Sequence, residues 1–147
     1  MAPSRSAATL DPLLCFAVYT LDRQIGRIYQ ELLSPWKLSY TQYLVLLLLS
    51  EGGPALSVRE LGESLDLDSG TLSPLLRRLE SRGLVTRSRT SEDGRVVQVS
   101  LTEAGRTVRN ELDEVQRCLL DRVPLDPQEA QELHQRVRAA SARLAAV

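Results

Sequence analysis

Residues 67–105 read LDSGTLSPLLRRLESRGLVTRSRTSEDGRVVQVSLTEAG, and two different periods meet inside this stretch. Leu72, Leu75, Leu76 and Leu79 recur at helical spacing, and at 100° per residue they fall within ~60° of one line. The spacing predicts a helix over 69–82, closed by Gly83 in the place of a C′ glycine. Pro74 marks a tight or distorted early turn of it. Leu84–Thr90 and Arg95–Leu101 then alternate between apolar and polar residues. Ser91-Glu92-Asp93-Gly94 separates them as a turn, which makes the pair a hairpin.

Upstream, Ser57-Val58-Arg59-Glu60 is a capping box that opens a short helix to about Leu65, with Asp66 to Asp68 as a tight connection. Before it, Thr41 is placed to cap a helix over 42–51. Its run YLVLLLLS is apolar on all sides and reads as buried. Gly52-Gly53-Pro54 ends it. At the start of the chain, Asp11-Pro12 reads as an N-cap acid with proline at the first helical position. Leu14, Val18, Leu21, Ile25, Ile28 and Leu32 then form a narrow heptad-like stripe over about 12–33, which favours a partner helix over packing within one chain.

Downstream, Thr102 caps a long helix with Val108, Leu112, Val115 and Leu119 on its apolar face. Pro124 interrupts the chain, and Asp126-Pro127 starts a last helix through Leu133, Val137 and Leu144. The fold expected is one domain over 1–147, mainly α with a small β-hairpin. A winged helix-turn-helix over 41–101 has its recognition helix at 69–82 and its wing at 84–101, between long terminal helices.

Composition agrees with one folded domain: 147 residues, 43% hydrophobic and 25% charged. Aromatic residues are only 4%, so the core must be built from Leu, Val and Ala. No apolar run reaches ~18 residues, so no transmembrane helix and no membrane partner are expected. The first residues lack a signal-peptide h-region, and a cytoplasmic location is expected. Two cysteines exclude a disulfide scaffold, and with one histidine they give no metal site, catalytic triad or bound cofactor.

The net charge of −1 argues against nucleic acid, but its distribution does not. Residues 77–106 carry 7 Lys+Arg against 4 Asp+Glu, whereas residues 1–76 carry 5 against 8. Of the 18 basic residues 17 are Arg, whose fork suits phosphates and guanine edges; biased composition would also explain that count. Away from its leucine stripe, the 69–82 helix presents Ser69, Thr71, Ser73 and Pro74, then Arg77 and Arg78. Small residues let a helix N-terminus approach DNA closely, and an arginine beyond them reaches a base edge or a phosphate. Alone, this helix reads more readily as a solvated surface. A basic hairpin beside it favours DNA binding. Arg87 and Arg89 lie on its first strand, and Arg95 follows the turn, where an arginine suits a minor groove. Asp93 either holds Arg95 by an ion pair or simply forms the turn.

Cys15 lies in the first helix, with Tyr19 four residues on and Tyr29 fourteen residues on, all on one face. Tyr29 is ~21 Å further along the axis, too far to touch Cys15 in the same helix. An antiparallel partner crossing near Asp22 would bring Tyr29 of one chain to Cys15 of the other. Phenol donors stabilise a thiolate, the species that attacks peroxides. From spacing alone, a buried inert cysteine packed against tyrosines is the better reading. Cys118 reads as an ordinary helix cysteine, His134 as a surface residue and Trp36 as a packing residue.

The segments LLCFAVYT (13–20), LSYTQYLVLLLL (38–49) and 67–105 together resemble the MarR family of transcription regulators. Within it they are most similar to the organic hydroperoxide resistance repressors (OhrR) of the two-cysteine type. The likeness covers nearly the whole chain. It implies a homodimer held by the terminal helices, 12–33 and 103–147, on a palindromic double-stranded DNA operator. It also implies that Cys15 is the peroxide-reactive cysteine, that Tyr29 and Tyr40 of the other subunit hydrogen-bond near it with Tyr19 close by, and that Cys118 is the resolving thiol of an intersubunit disulfide. The function expected is a repressor, not an enzyme, that organic hydroperoxides release from DNA. Two other readings stand beside it: a regulator induced by a small aromatic acid without redox chemistry, and a thiol peroxidase.

Overall fold

The computed structural model describes residues 13–147 apart from Gly52, Ser91 and Asp93. Among these residues the chain order is α1 (Leu14–Leu33), a 3-10 turn (Ser34–Trp36), α2 (Tyr40–Glu51), β1 (Leu56–Ser57), α3 (Val58–Leu65), α4 (Ser69–Ser81), β2 (Val85–Arg89), β3 (Val97–Leu101), α5 (Glu103–Glu111), α6 (Asp113–Arg122) and α7 (Pro127–Leu144). The first helix starts two residues later than expected: extended Leu13 is its N-cap, without a side-chain cap bond, and Asp11 and Pro12 themselves lie outside the described residues.

The capping box of α3 is formed as expected: the Glu60 N–H donates to Ser57 Oγ at 3.1 Å, and the Ser57 N–H donates to Glu60 Oε2 at 2.7 Å. The cap of α2, expected at Thr41, sits two residues earlier and forms a second box. Ser39 Oγ accepts from the Gln42 N–H and the Gln42 side chain accepts from the Ser39 N–H, so α2 starts at Tyr40. The Thr41 hydroxyl instead bonds that of Ser39. Helix α4 runs unbroken through Pro74, whose ring stays exposed. It ends in a Schellman motif: the Leu84 N–H reaches Leu79 O and the Gly83 N–H reaches Glu80 O, with Gly83 at φ 70°. Leu79 and Leu84 are both buried beside this turn.

The sheet has three strands in the order β1-β3-β2, all antiparallel, so it is larger than the expected hairpin. Val85 faces Leu101 and Arg89 faces Val97 across the hairpin, while Leu56 pairs with Val99. A two-residue strand carries no period, which is why β1 was invisible in the sequence. The single long helix expected after Thr102 is two. At Leu112 (ψ −10°) the N–H is shared between Val108 O and Arg109 O, and the α-helix is interrupted for one residue. Leu112 is fully buried there; α5 packs on α2 and β3, whereas α6 packs on α1, and the break lets one chain serve both.

The core joins Leu33 of α1, Val45, Leu46 and Leu49 of α2, Leu61 of α3, the four leucines of α4, Val85 and Val99 of the sheet, and Leu112 and Val115. Each fully buried leucine contributes roughly 2 kcal/mol of apolar transfer, and the α4 stripe packs the helix against α2, α3 and β2. Gly105 is required where α5 starts: a Cβ there would lie 1.9 Å from the Leu84 carbonyl oxygen. Two faces remain uncovered within one chain. Leu14, Val18, Leu21 and Ile25 of α1 are exposed, Leu14 at 76%, and α7 buries none of its residues.

Candidate nucleic-acid interface and cysteine site

Helix α4 is anchored by its leucines and turns its other side outward. Ser69, Thr71, Pro74, Arg77 and Arg78 are exposed, and Ser73 is half-buried. The sequence reading missed the residue that starts this helix. Asp68 is the N-cap: its Oδ1 accepts from the Thr71 N–H at 2.8 Å and its Oδ2 accepts from the Thr71 hydroxyl at 3.3 Å. One of the backbone donors expected to meet phosphate is therefore already partnered, by a carboxylate. The pattern Asp-x-x-Thr ahead of an apolar stripe is the signal that could have found it.

The wing is tied to α4 through Arg87, whose Nε and Nη2 donate to Glu80 Oε2 at 2.9 and 2.7 Å. That hydrogen-bonded pair holds the Glu80 carboxyl below its ordinary range. Arg87 thus couples the wing to the helix. Arg89 closes the tip by donating from Nη1 to Gly94 O at 2.9 Å. Arg95 is exposed just beyond the tip. The expected pairing with Asp93 lies outside the described residues.

The cysteine site is divided. Cys15 is exposed on α1, and Tyr19, one turn on, is 54% exposed. Arg23, also missed by the sequence reading, donates from Nη1 to Tyr19 Oη at 3.0 Å, its guanidinium 5.6 Å from the ring centroid. Tyr29 is buried at the other end of α1, with its ring 4.5 Å from that of Tyr40 and 5.7 Å from that of Tyr43. Burial, then the neighbouring Tyr40 and Tyr43 phenols, push its hydroxyl up to about 12. Tyr43 is an unforeseen member of this cluster, and its hydroxyl donates to Gln116 Oε1 at 3.4 Å. Within one chain, then, Tyr29 and Tyr40 meet, while Cys15 stays ~21 Å along the helix from them. Cys118 is half-buried on α6 and donates its S–H to Glu114 Oε1, one turn back, at 3.6 Å.

The family model "Transcriptional regulator SarA/Rot" matches residues 27–112. The chain belongs to this SarA/Rot family, a MarR-like group of transcriptional regulators.

Individual relatives of this SarA/Rot-family chain are also transcriptional regulators. The organic hydroperoxide resistance transcriptional regulator of Bacillus subtilis is 41% identical over 86% of this chain and 83% of its own length. The regulator TtmR of Methylorubrum extorquens is 50% identical over 71% of this chain, and the match spans only 53% of that longer protein. Reduced AbfR bound to DNA superposes with a TM-score of 0.79 at 32% identity, over 92% of each chain; AbfR comes from Staphylococcus epidermidis. The relatives are DNA-binding transcription regulators, not enzymes. Among the described residues, no helix of this SarA/Rot-family regulator is long and apolar enough to cross a membrane.

Proposed function

We propose that this regulator binds a palindromic operator as two copies and releases it when an organic hydroperoxide oxidises Cys15. The observation that carries the reading is the division of the site. The stripe Leu14, Val18, Leu21 and Ile25 lies open on the same helix as exposed Cys15, and a paired Tyr29 and Tyr40 wait at its far end. An antiparallel second copy would cover the stripe and place one chain's tyrosines beside the other chain's cysteine, twice by symmetry. The likeness to a hydroperoxide-resistance regulator supports the same chemistry.

In that arrangement the Cys15 thiolate attacks one peroxide oxygen. The O–O bond breaks, the alkoxide takes a proton and leaves as alcohol, and sulfur is oxidised to a sulfenic acid. Phenol donors from Tyr29 and Tyr40, with Tyr19 near, stabilise the thiolate. The Cys118 thiol then attacks that sulfur, water leaves, and a disulfide forms between subunits. Because Cys15 lies in the frame that sets the two reading heads apart, oxidation shifts them; a coupling of ~3 kcal/mol weakens DNA binding about 150-fold. Ser69, Thr71, Ser73, Pro74, Arg77 and Arg78 enter the major groove, and Arg95, with Arg87 behind it, follows the wing to the minor groove.

The test is operator release by Cys15→Ser. Retained binding under hydroperoxide supports the reading, and release despite the substitution contradicts it. Non-reducing gels of Cys118→Ser separate the resolving step: a covalent two-chain band that persists after oxidation removes Cys118 from it. A second reading rests on a cleft of about 690 Å³ between α1, α2 and α4, lined by Lys37, Tyr40, Arg78 and Arg82. Its cations suit a small aromatic acid as inducer, which a protein lacking both cysteines would still sense.

A further inference from the structure

The bend between α1 and α2 holds three parts of the molecule at one point. The 3-10 turn ends on Lys37, whose N–H reaches Ser34 O, while the Leu38 N–H returns to Leu33 O. Lys37 sits at φ 52°, in the left-handed region, which a residue with a side chain keeps only where its surroundings hold it. Buried Leu38 fixes the bend from within.

Arg82, the residue directly after α4, grips this bend from the DNA-binding side. Its Nη1 donates to Lys37 O at 3.1 Å and its Nη2 donates to Trp36 O at 2.5 Å. The planar guanidinium thus spans two consecutive carbonyls, a fit that depends on its fork geometry. On the other side, Trp36 Nε1 donates to Glu111 Oε2 at 2.7 Å, which ties the bend to the end of α5. These links cross 45, 46 and 75 positions of sequence, so no local turn geometry forces them.

We infer that Arg82 is a positioning residue for DNA binding: it fixes the recognition helix α4 at a set angle to α1 and does so without contacting DNA. The inference rests on the reading that two copies bind one operator. Only then does the angle between α4 and α1 decide whether both recognition helices meet half-sites about one helical turn, ~34 Å, apart. Arg77 and Arg78, a turn earlier, lack such internal carbonyl partners among the hydrogen bonds of the described residues; they serve the DNA face, whereas Arg82 serves the mount. A phosphate contact and a mount differ in one measurable respect. A lost phosphate contact lowers the slope of log K against log salt by about one, and a lost mount leaves that slope alone.

The experiment compares wild type, Arg82→Ala and Arg82→Lys on the full operator and on a single half-site, each across a salt series. Circular dichroism checks that each variant is folded, and Trp36, the only tryptophan, reports the bend by its emission. The expected result for Arg82→Ala is a loss of about tenfold on the full operator, the size of one lost charge-assisted hydrogen bond. The salt slope stays unchanged, binding to the half-site changes less than about twofold, and Trp36 emission shifts. Arg82→Lys, which can still donate to a carbonyl, recovers part of the loss. A loss of equal size on operator and half-site, a slope reduced by about one, or operator binding unchanged by Arg82→Ala each overturns the inference. Wild type that occupies the operator as one chain overturns the pairing and the positioning role with it. That outcome is read from wild type alone, so it stays distinct from a failure specific to Arg82.

Discussion

The Tyr29 ring lies 4.5 Å from the Tyr40 ring, tilted by 45°, at the end of α1 remote from Cys15. The pair belongs to one chain, and the cysteine it is proposed to serve belongs to the other. Burial and phenol neighbours raise Tyr29 to about 12. This cost of ionising inside the fold sets the first prediction.

The unfolded chain ionises Tyr29 near its ordinary value of 10.0, and the folded chain only near 12. A folded pKa above the unfolded one gives stability that is complete below about pH 10 and is lost as pH rises toward 12. The loss is on the order of 2 kcal/mol across that window. Urea unfolding of wild type between pH 9 and pH 12 should show the decline, and Tyr29→Phe should show markedly less of it.

Leu76 is fully buried on the α4 stripe. Leu76→Ala should destabilise the fold by about 2–5 kcal/mol, measured by urea unfolding. Arg78→Ala, two residues on but exposed, should change stability by less than ~0.5 kcal/mol while weakening DNA binding.

At Gly105 an added Cβ would lie 1.9 Å from Leu84 O, a backbone atom that cannot turn aside. Gly105→Ala should therefore cost at least ~2 kcal/mol and lower the melting temperature, because α5 must move off the sheet. Gly94→Ala at the wing tip, where nothing lies within 4 Å, should be close to neutral.

Arg77→Ala distinguishes phosphate from base contact. Equal weakening on all DNA sequences, with a salt slope lowered by about one, marks a phosphate partner; relaxed preference at one operator position marks a base. The proposed recognition face requires one of these two results, measured by salt-series titration on an operator variant set.

Much of the fold was legible because its signals are local. The α4 leucine stripe, Gly83 in its C′ place and the alternation of both wing strands each lie within a few residues of one another, and they fixed the helix-turn-helix and the hairpin. The capping box at Ser57 and Glu60 was read correctly, whereas the box at Ser39 and Gln42 was missed because Thr41 offered a competing hydroxyl. The break at Leu112 follows from two packing partners that a single apolar period does not distinguish. The candidate site divided the same way. Cys15, Tyr19 and Tyr29 share a helix face and could be read from spacing. The Arg87–Glu80 tie and the Arg82 grip on the bend depend on tertiary contacts, and the nearness of Tyr43 to Tyr29 depends on how α2 packs against α1.

In the proposed switch, Cys15 couples organic hydroperoxide to release of DNA. The most direct measurement is fluorescence anisotropy on the operator, with wild type and Cys15→Ser each titrated reduced and then treated with an organic hydroperoxide. Wild type should lose about 150-fold in affinity and recover it with dithiothreitol, while Cys15→Ser should stay bound throughout. A Cys15→Ser protein that leaves DNA as wild type does, or a wild type indifferent to hydroperoxide, would contradict this switch.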